Sequence, residues 1–185
     1  MLLPETFRAV APARRVIREQ AQLHEKFPAE ALNTELRRAG RKVTLNDENI
    51  NDVLNLEYGK PLTFLALSLL YDITNWRTTT YNQENIFPKS LFHPRQMSKA
   101  GIGPEQQERF AELANTLANL LLLTPEEHTE QLTSQSLEGW LQSRDAHFRA
   151  RHFIPMDNAL LHFENFEQFI EARQNLIRLR IQQQL

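Results

Sequence analysis

The sequence contains no cysteine, so neither a disulfide framework nor a thiolate zinc site can form. It holds only five glycines, Gly40, Gly59, Gly101, Gly103 and Gly139, none in a G-x-G-x-x-G or P-loop setting. A phosphate cradle made of backbone N–H groups has nothing to be built from, which removes dehydrogenase and P-loop ATPase readings. Long apolar runs are missing too. The oiliest stretch, residues 62–71, is too short for a bilayer and contains Thr63 and Ser68, so no membrane span is expected. The first eight residues lack the charged start and small-residue cleavage site of a secretory signal. With no cysteines either, the expectation is a cytoplasmic protein.

What is present is a 185-residue chain, 41% hydrophobic and 24% charged, the size of one globular domain or two small ones. Its net charge of −2 is unevenly spread. Residues 85–104 carry Lys89, Arg95 and Lys99 and no acid, whereas residues 105–145 carry eight acids against Arg109 and Arg144. A basic strip raises local anion concentration and hints at a phosphate-bearing ligand, although a solvated surface gives the same pattern.

Helical punctuation dominates the first half. Ala13–Phe27 follows Pro12, Ala29–Ala39 follows Pro28 and stops at Gly40, and Asn46 or Asp47 caps a helix bearing Ile50, Val53 and Leu54. Gly59 ends it. Pro61 opens a further helix that is apolar nearly all round, which predicts central burial. The run Trp76, Thr78, Thr79, Thr80, Tyr81 favours extended chain leading into Ile86-Phe87-Pro88. Glu105–Ala118 reads as helix and Leu120–Leu123 as a short strand. Thr124-Pro125-Glu126-Glu127 is a capping box that starts a helix at Pro125 and puts His128 in its first turn. Residues 165–183 form an amphipathic helix with Phe166, Phe169, Ile170 and Ile177 inward and Arg173, Arg178 and Arg180 facing solvent.

Strand, loop, strand and helix, with polar residues at the end of the first strand and in the first helical turn, is the layout of a one-metal nuclease site. Residues 81–90, YNQENIFPKS, resemble the D-H-I-F-P-K-S segment of HNH (ββα-metal) nucleases. More specifically they look like the C-terminal nuclease domain of the GmrSD-type modification-dependent restriction endonucleases and related phage-defence proteins. Leu67–Tyr71 is similar to that family's buried helix, residues 115–123 to its N-x-x-G-N-L-x-L-L segment, and Phe166–Arg173 to its closing F-x-x-F-I-x-x-R helix.

The resemblance implies a mainly α (α+β) fold, with a helical scaffold over residues 1–75 and a small ββα-metal core with a C-terminal helix over residues 76–185. It implies a metal-dependent DNA endonuclease of HNH type, related to restriction and antiviral defence. Glu84 and His128 would bind a divalent cation, magnesium or manganese with zinc as a further possibility, and Asn85 and Asn119 would fill the catalytic base and base-orienting positions. DNA, including modified phage DNA, is the implied partner, together with a nucleotide-hydrolysing domain N-terminal to this one or on a separate chain. Lys89, Arg95, Lys99, Arg149 and Arg151 are the candidate DNA contacts. His128 also fits the first helical turn electrostatically, since that position favours the neutral imidazole that ligates metal.

The departures from the pattern fall on the chemistry. Glu84-Asn85 stands where the family has Asp-His, Ala118 where it has glycine, and Gln131 where lysine is usual. An amide cannot accept a proton at neutral pH, so attenuated cleavage is expected. A catalytically degenerate DNA-binding or regulatory module and a helical adaptor unrelated to nucleic acid are the competing classes. His93, next to Pro94, is a weak substitute base, and the basic cluster His147, Arg149, Arg151 and His152 reads equally as a helix face, with Phe148 and Phe153 as core.

Overall fold

A computed structural model describes Thr34, Arg38 and residues 47–71, 79–134 and 136–183. The expected helices over 13–39, the Asn46 cap and the residues Trp76 and Thr78 lie wholly or mostly outside that range. Within it the chain is mainly helical, with one two-stranded antiparallel sheet. No helix among the described residues is long and apolar enough to cross a membrane.

Helix α1 (Asp47–Leu54) places Asp47 and Glu48 against the positive end of its dipole and buries Ile50 and Leu54 one turn apart. Gly59 then takes φ 77°, a left-handed turn that a side chain would strain. Helix α2 (Pro61–Leu70) begins with its proline in the first turn. It is not buried all round as its composition suggested. Thr63, Leu67 and Leu70 face the core, while Leu62, Leu65 and Leu69 are 58%, 43% and 37% exposed. A helix packed on one side hides only the stripe at i, i+4 and i+7, whatever the rest is made of.

Strand β1 (Asn82–Asn85) pairs with β2 (Leu120–Leu123) in the register Asn82↔Leu123, Gln83↔Leu122, Glu84↔Leu121 and Asn85↔Leu120. Extended chain was expected from the threonine run into Ile86, and the paired part of it is Asn82–Asn85, with Thr79 and Thr80 just ahead of the strand. Four polar residues of poor intrinsic strand preference form β1 because β2 supplies the partner. All four leucines of β2 are buried. Leu121 and Leu123 enter one core with Ile86, Phe87, Phe110, Trp140, Leu141, Phe166 and Phe169. Leu120 and Leu122 enter a second with Ile50, Leu54, Leu67, Leu70, Tyr71, Ile177 and Ile181. The strand thus stands between two apolar clusters, each leucine contributing roughly 1.5–3 kcal/mol by burial. Residues 50–71, part of the expected scaffold region, share that second core with the strand.

Between the strands lie a 3-10 turn (Lys89–Phe92), α3 (Pro94–Lys99), α4 (Pro104–Leu113) and a second 3-10 turn (Leu117–Asn119). Helix α4 stops at Leu113 rather than running on to Ala118. The Thr116 hydroxyl donates to Leu113 O at 2.8 Å, Tyr58 N donates to Asn115 O at 2.9 Å, and Thr116 forms a β-bridge to Glu57. These contacts draw the backbone out of the helix.

Helix α5 (Pro125–Thr133) carries the full capping box, and α6 (Leu137–Gln142) and α7 (Ala146–Arg151) follow. The last helix, α8 (Phe166–Gln183), buries Phe166, Phe169, Ile170 and Ile177 as the periodicity requires. Arg173 departs from expectation: it is fully buried, because its position continues the 166–169–177 stripe onto the core face. Arg178 and Arg180 are half-buried, bonded to Asn51 Oδ1 and Leu70 O.

Candidate functional site

The sheet and α5 bring Glu84 and His128 together. Glu84 shares a sheet face with Leu121, and His128 enters from the first turn of the helix that continues β2. Glu84 Oε1 lies 3.2 Å from His128 Nε2, with both side chains about one-third exposed. The cap fixes the helix start: Glu127 N donates to Thr124 Oγ1 at 3.3 Å, and Thr124 N donates to Glu127 Oε2 at 3.0 Å. The other Glu127 oxygen accepts from Arg151, so the residue next to His128 is held by two elements.

A carboxylate oxygen and an imidazole nitrogen at this separation fit a shared cation. With each donor roughly 2.1 Å away, the pair subtends about 100° at the ion, between octahedral and tetrahedral values. Among the described residues no three His, Cys, Asp or Glu side chains are placed to hold one metal ion together. The remaining positions would fall to water or substrate oxygens, which suits magnesium or manganese better than a closed four-ligand zinc site.

The two asparagines form a second pair. Asn119 is fully buried and its amide is spent on backbone: Oδ1 accepts from Phe87 N at 2.9 Å, while Nδ2 donates to Ala114 O at 2.7 Å and Phe87 O at 3.1 Å. Asn85 Nδ2 donates to the same Ala114 O at 3.0 Å. Asn119 therefore reaches Asn85 only through this shared acceptor. Its own chemistry is that of a clamp, welding the end of β1 to the start of β2, where Ile86 N also donates to Asn119 O at 2.8 Å. Gln131, one turn beyond His128, donates to Asn85 O at 3.2 Å and ties α5 to the end of β1.

Of the five candidate DNA contacts, Lys89, Arg95 and Lys99 are exposed, with Lys89 Nζ 4.2 Å above the Tyr58 ring. Arg149 is corrected: it is 5% exposed, and its guanidinium donates to Leu141 O at 3.1 and 3.3 Å and Asn158 Oδ1 at 2.9 Å, so it is turned into the fold and not toward a surface ligand. Arg151 is engaged with Glu127 and lies 5.4 Å from the Phe148 ring centre, so its visible role is to hold α5. His93 caps α3, its Nδ1 accepting from Arg95 N at 3.4 Å. Phe148 is core, as read from the sequence.

Sequence reasoning missed a buried polar cluster behind β2. Arg173 Nε donates to His152 O at 3.1 Å, and the other guanidinium nitrogens donate to the carbonyls of Leu117, Ala118 and Leu120 at 3.3, 2.7 and 2.6 Å. Burial pulls its pKa down to about 10, partly offset by the neighbouring Tyr71 phenol. His152 Nδ1 lies 3.1 Å from the Tyr71 hydroxyl. Burial, reinforced by the charges of Arg151 and Arg173, holds this imidazole neutral well below its usual range, and burial raises the Tyr71 phenol. The signal available in advance was position 173 itself, an arginine on an apolar helical stripe.

No protein-family model matches the chain, and no curated protein does.

Proposed function

We propose that this chain is a divalent-metal-dependent DNA endonuclease module of HNH type, attenuated at its base position. The observation that supports it most is the 3.2 Å approach of Glu84 and His128, a strand carboxylate and a helix imidazole remote in sequence. In this reading Glu84 and His128 hold one magnesium or manganese ion, and a bound ion would supply charge stabilisation at the scissile phosphate and its leaving oxygen. Lys89, Arg95 and Lys99 attract the phosphate backbone. Asn85 stands at the base position with its N–H₂ committed to Ala114 O, and its carbonyl oxygen orients water without taking its proton. Loss of a general base costs about 10²- to 10⁴-fold in rate. The longer glutamate in place of aspartate lowers it further by shifting the ion. A role in restriction of modified phage DNA, a partner that hydrolyses nucleotide and a division at residue 75 belong to the same reading and rest on the sequence resemblance, while a cytoplasmic setting rests on the lack of cysteine.

The fixed Asn85 amide also favours a second reading, a module that binds DNA through the same metal without cutting it. Mn²⁺ titration by calorimetry and nicking of supercoiled plasmid separate the two. The endonuclease reading expects Mn²⁺ binding and slow nicking, both lost in Glu84→Ala and His128→Ala. Binding of Mn²⁺ and duplex DNA without nicking selects the second reading. A chain that binds neither refutes both and leaves a helical adaptor.

A further inference from the structure

Among the described residues Arg173 is the largest fully buried side chain, and among the described contacts it meets no carboxylate. Burying a guanidinium without a carboxylate is costly, and its bonds to four backbone carbonyls offset part of that cost. Those bonds have an unusual target. Its two terminal nitrogens grip Ala118 O at 2.7 Å and Leu120 O at 2.6 Å, the carbonyls immediately before and after Asn119. Asn119 in turn holds Phe87 by both its N–H and its carbonyl, and shares Ala114 O with Asn85. The segment gripped by Arg173 then runs straight through β2 into the Thr124 cap that carries His128.

We propose that Arg173 is a positioning residue for the Glu84–His128 site, acting through the backbone on either side of Asn119. It touches neither ligand. The guanidinium fixes where β2 starts, β2 sets the register that puts Glu84 opposite Leu121, and the end of β2 sets where His128 enters. A rotation of the 118–120 backbone would be felt at both ligands together. A planar fork is required because the four acceptors are divided between residues 117–120 and His152 O, a spread that a lysine ammonium with three donors cannot reach at once. The inference rests on the metal reading above for its effect on cation affinity, but not for its effect on the strands.

The test uses the full chain and Mn²⁺ alone as probe, comparing the wild type with Arg173→Lys and with Leu161→Ala, a core variant that removes none of the hydrogen bonds at residues 117–120 and serves as a stability control. Amide hydrogen exchange at Ile86 and Phe87, whose N–H groups bond to Asn119, is followed alongside Mn²⁺ affinity. Positioning predicts that Arg173→Lys weakens Mn²⁺ binding by about 10- to 100-fold, the usual effect of losing an outer support of a metal ligand. It also predicts faster exchange at Ile86 and Phe87 before the rest of the core opens, whereas Leu161→Ala leaves both readouts near wild type at a temperature where it is folded. Unchanged affinity and exchange in Arg173→Lys, or changes matched by Leu161→Ala, overturn the proposal. If the wild type binds no Mn²⁺, the metal reading falls, and the selective exchange at Ile86 and Phe87 alone decides the role of Arg173. Should Arg173→Lys not fold, Tyr71→Phe takes its place, removing the phenol that bonds His152, whose carbonyl accepts from the guanidinium, while keeping the ring.

Discussion

Replacing Asn85 by histidine should turn a slow or silent site into a faster one, and the local geometry says why. Asn85 Nδ2 donates to Ala114 O at 3.0 Å. The Nδ1 of a histidine lies the same number of bonds from Cα, so its N–H can donate to that carbonyl in turn. Ala114 O has two lone pairs, and the second is already used by Asn119 Nδ2 at 2.7 Å. Donation from Nδ1 fixes the tautomer and leaves the Nε2 lone pair free to accept a proton. Asn85 is half-buried, its backbone carbonyl is held by Gln131, and neither contact depends on the amide oxygen, so the larger ring can be accommodated. The expected gain in Mn²⁺-dependent nicking of supercoiled plasmid is about 10²- to 10⁴-fold, the usual worth of a general base. Misplacement of the ion by the longer Glu84 can take back about 10²-fold of it. The rate should rise with pH to a plateau as the new imidazole loses its proton near about 6.5. Asn85→Ala should show no gain, and His128→Ala added to Asn85→His should abolish it. A folded Asn85→His chain that binds Mn²⁺ as the wild type does and still fails to nick would refute the reasoning.

Stability should also depend on pH through His152. The folded chain keeps this imidazole neutral, whereas the unfolded chain takes up a proton near 6.5. Below that pH the unfolded state therefore binds more protons, so stability is fully present above about 6.5 and falls by up to about 1.4 kcal/mol per unit as the medium is acidified. Urea denaturation between pH 5 and 8, roughly the range over which an unperturbed histidine titrates, should show this slope for the wild type and a flatter one for His152→Leu; equal slopes would count against it. Thr124→Ala removes the hydroxyl that accepts from Glu127 N and should cost about 0.5–2 kcal/mol in chemical denaturation. A loss well below that range would mean that the Arg151 contact alone holds the start of α5.

The parts legible in the sequence were those written in local chemistry. Thr124-Pro125-Glu126-Glu127 announced both the start of α5 and the position of His128, because a capping box is a contact between residues three apart. The inward stripe of α8 was equally plain from spacing. Strand β1 was legible only coarsely: extended chain was expected between the threonine run and Pro88, and the strand occupies Asn82–Asn85 within it, where β2 supplies the distant partner that fixes its limits. Arg149, Arg151 and Arg173 were read as surface groups because charge usually is solvated. What decides otherwise is a set of carbonyls and a carboxylate contributed by other parts of the chain, which no window of sequence contains. Asn119 shows the same limit: its position in the motif was visible, but its commitment to Phe87 and Ala114 was not.

A strand of four leucines should be a hazard, since an apolar strand with a free edge is a template for adding another chain. Here β1 takes one side of β2, and side chains cover the other. Arg173 binds the carbonyl of Leu120, and Tyr71 packs with Leu120 and Leu122 in the second core. Arg173 on α8 and Tyr71 just past α2 thus cover the outer side of β2, where a third strand would otherwise pair. Self-association, domain swapping and aggregation of this chain should accordingly be set less by its overall stability than by whether these two side chains stay in place against the leucine backbone.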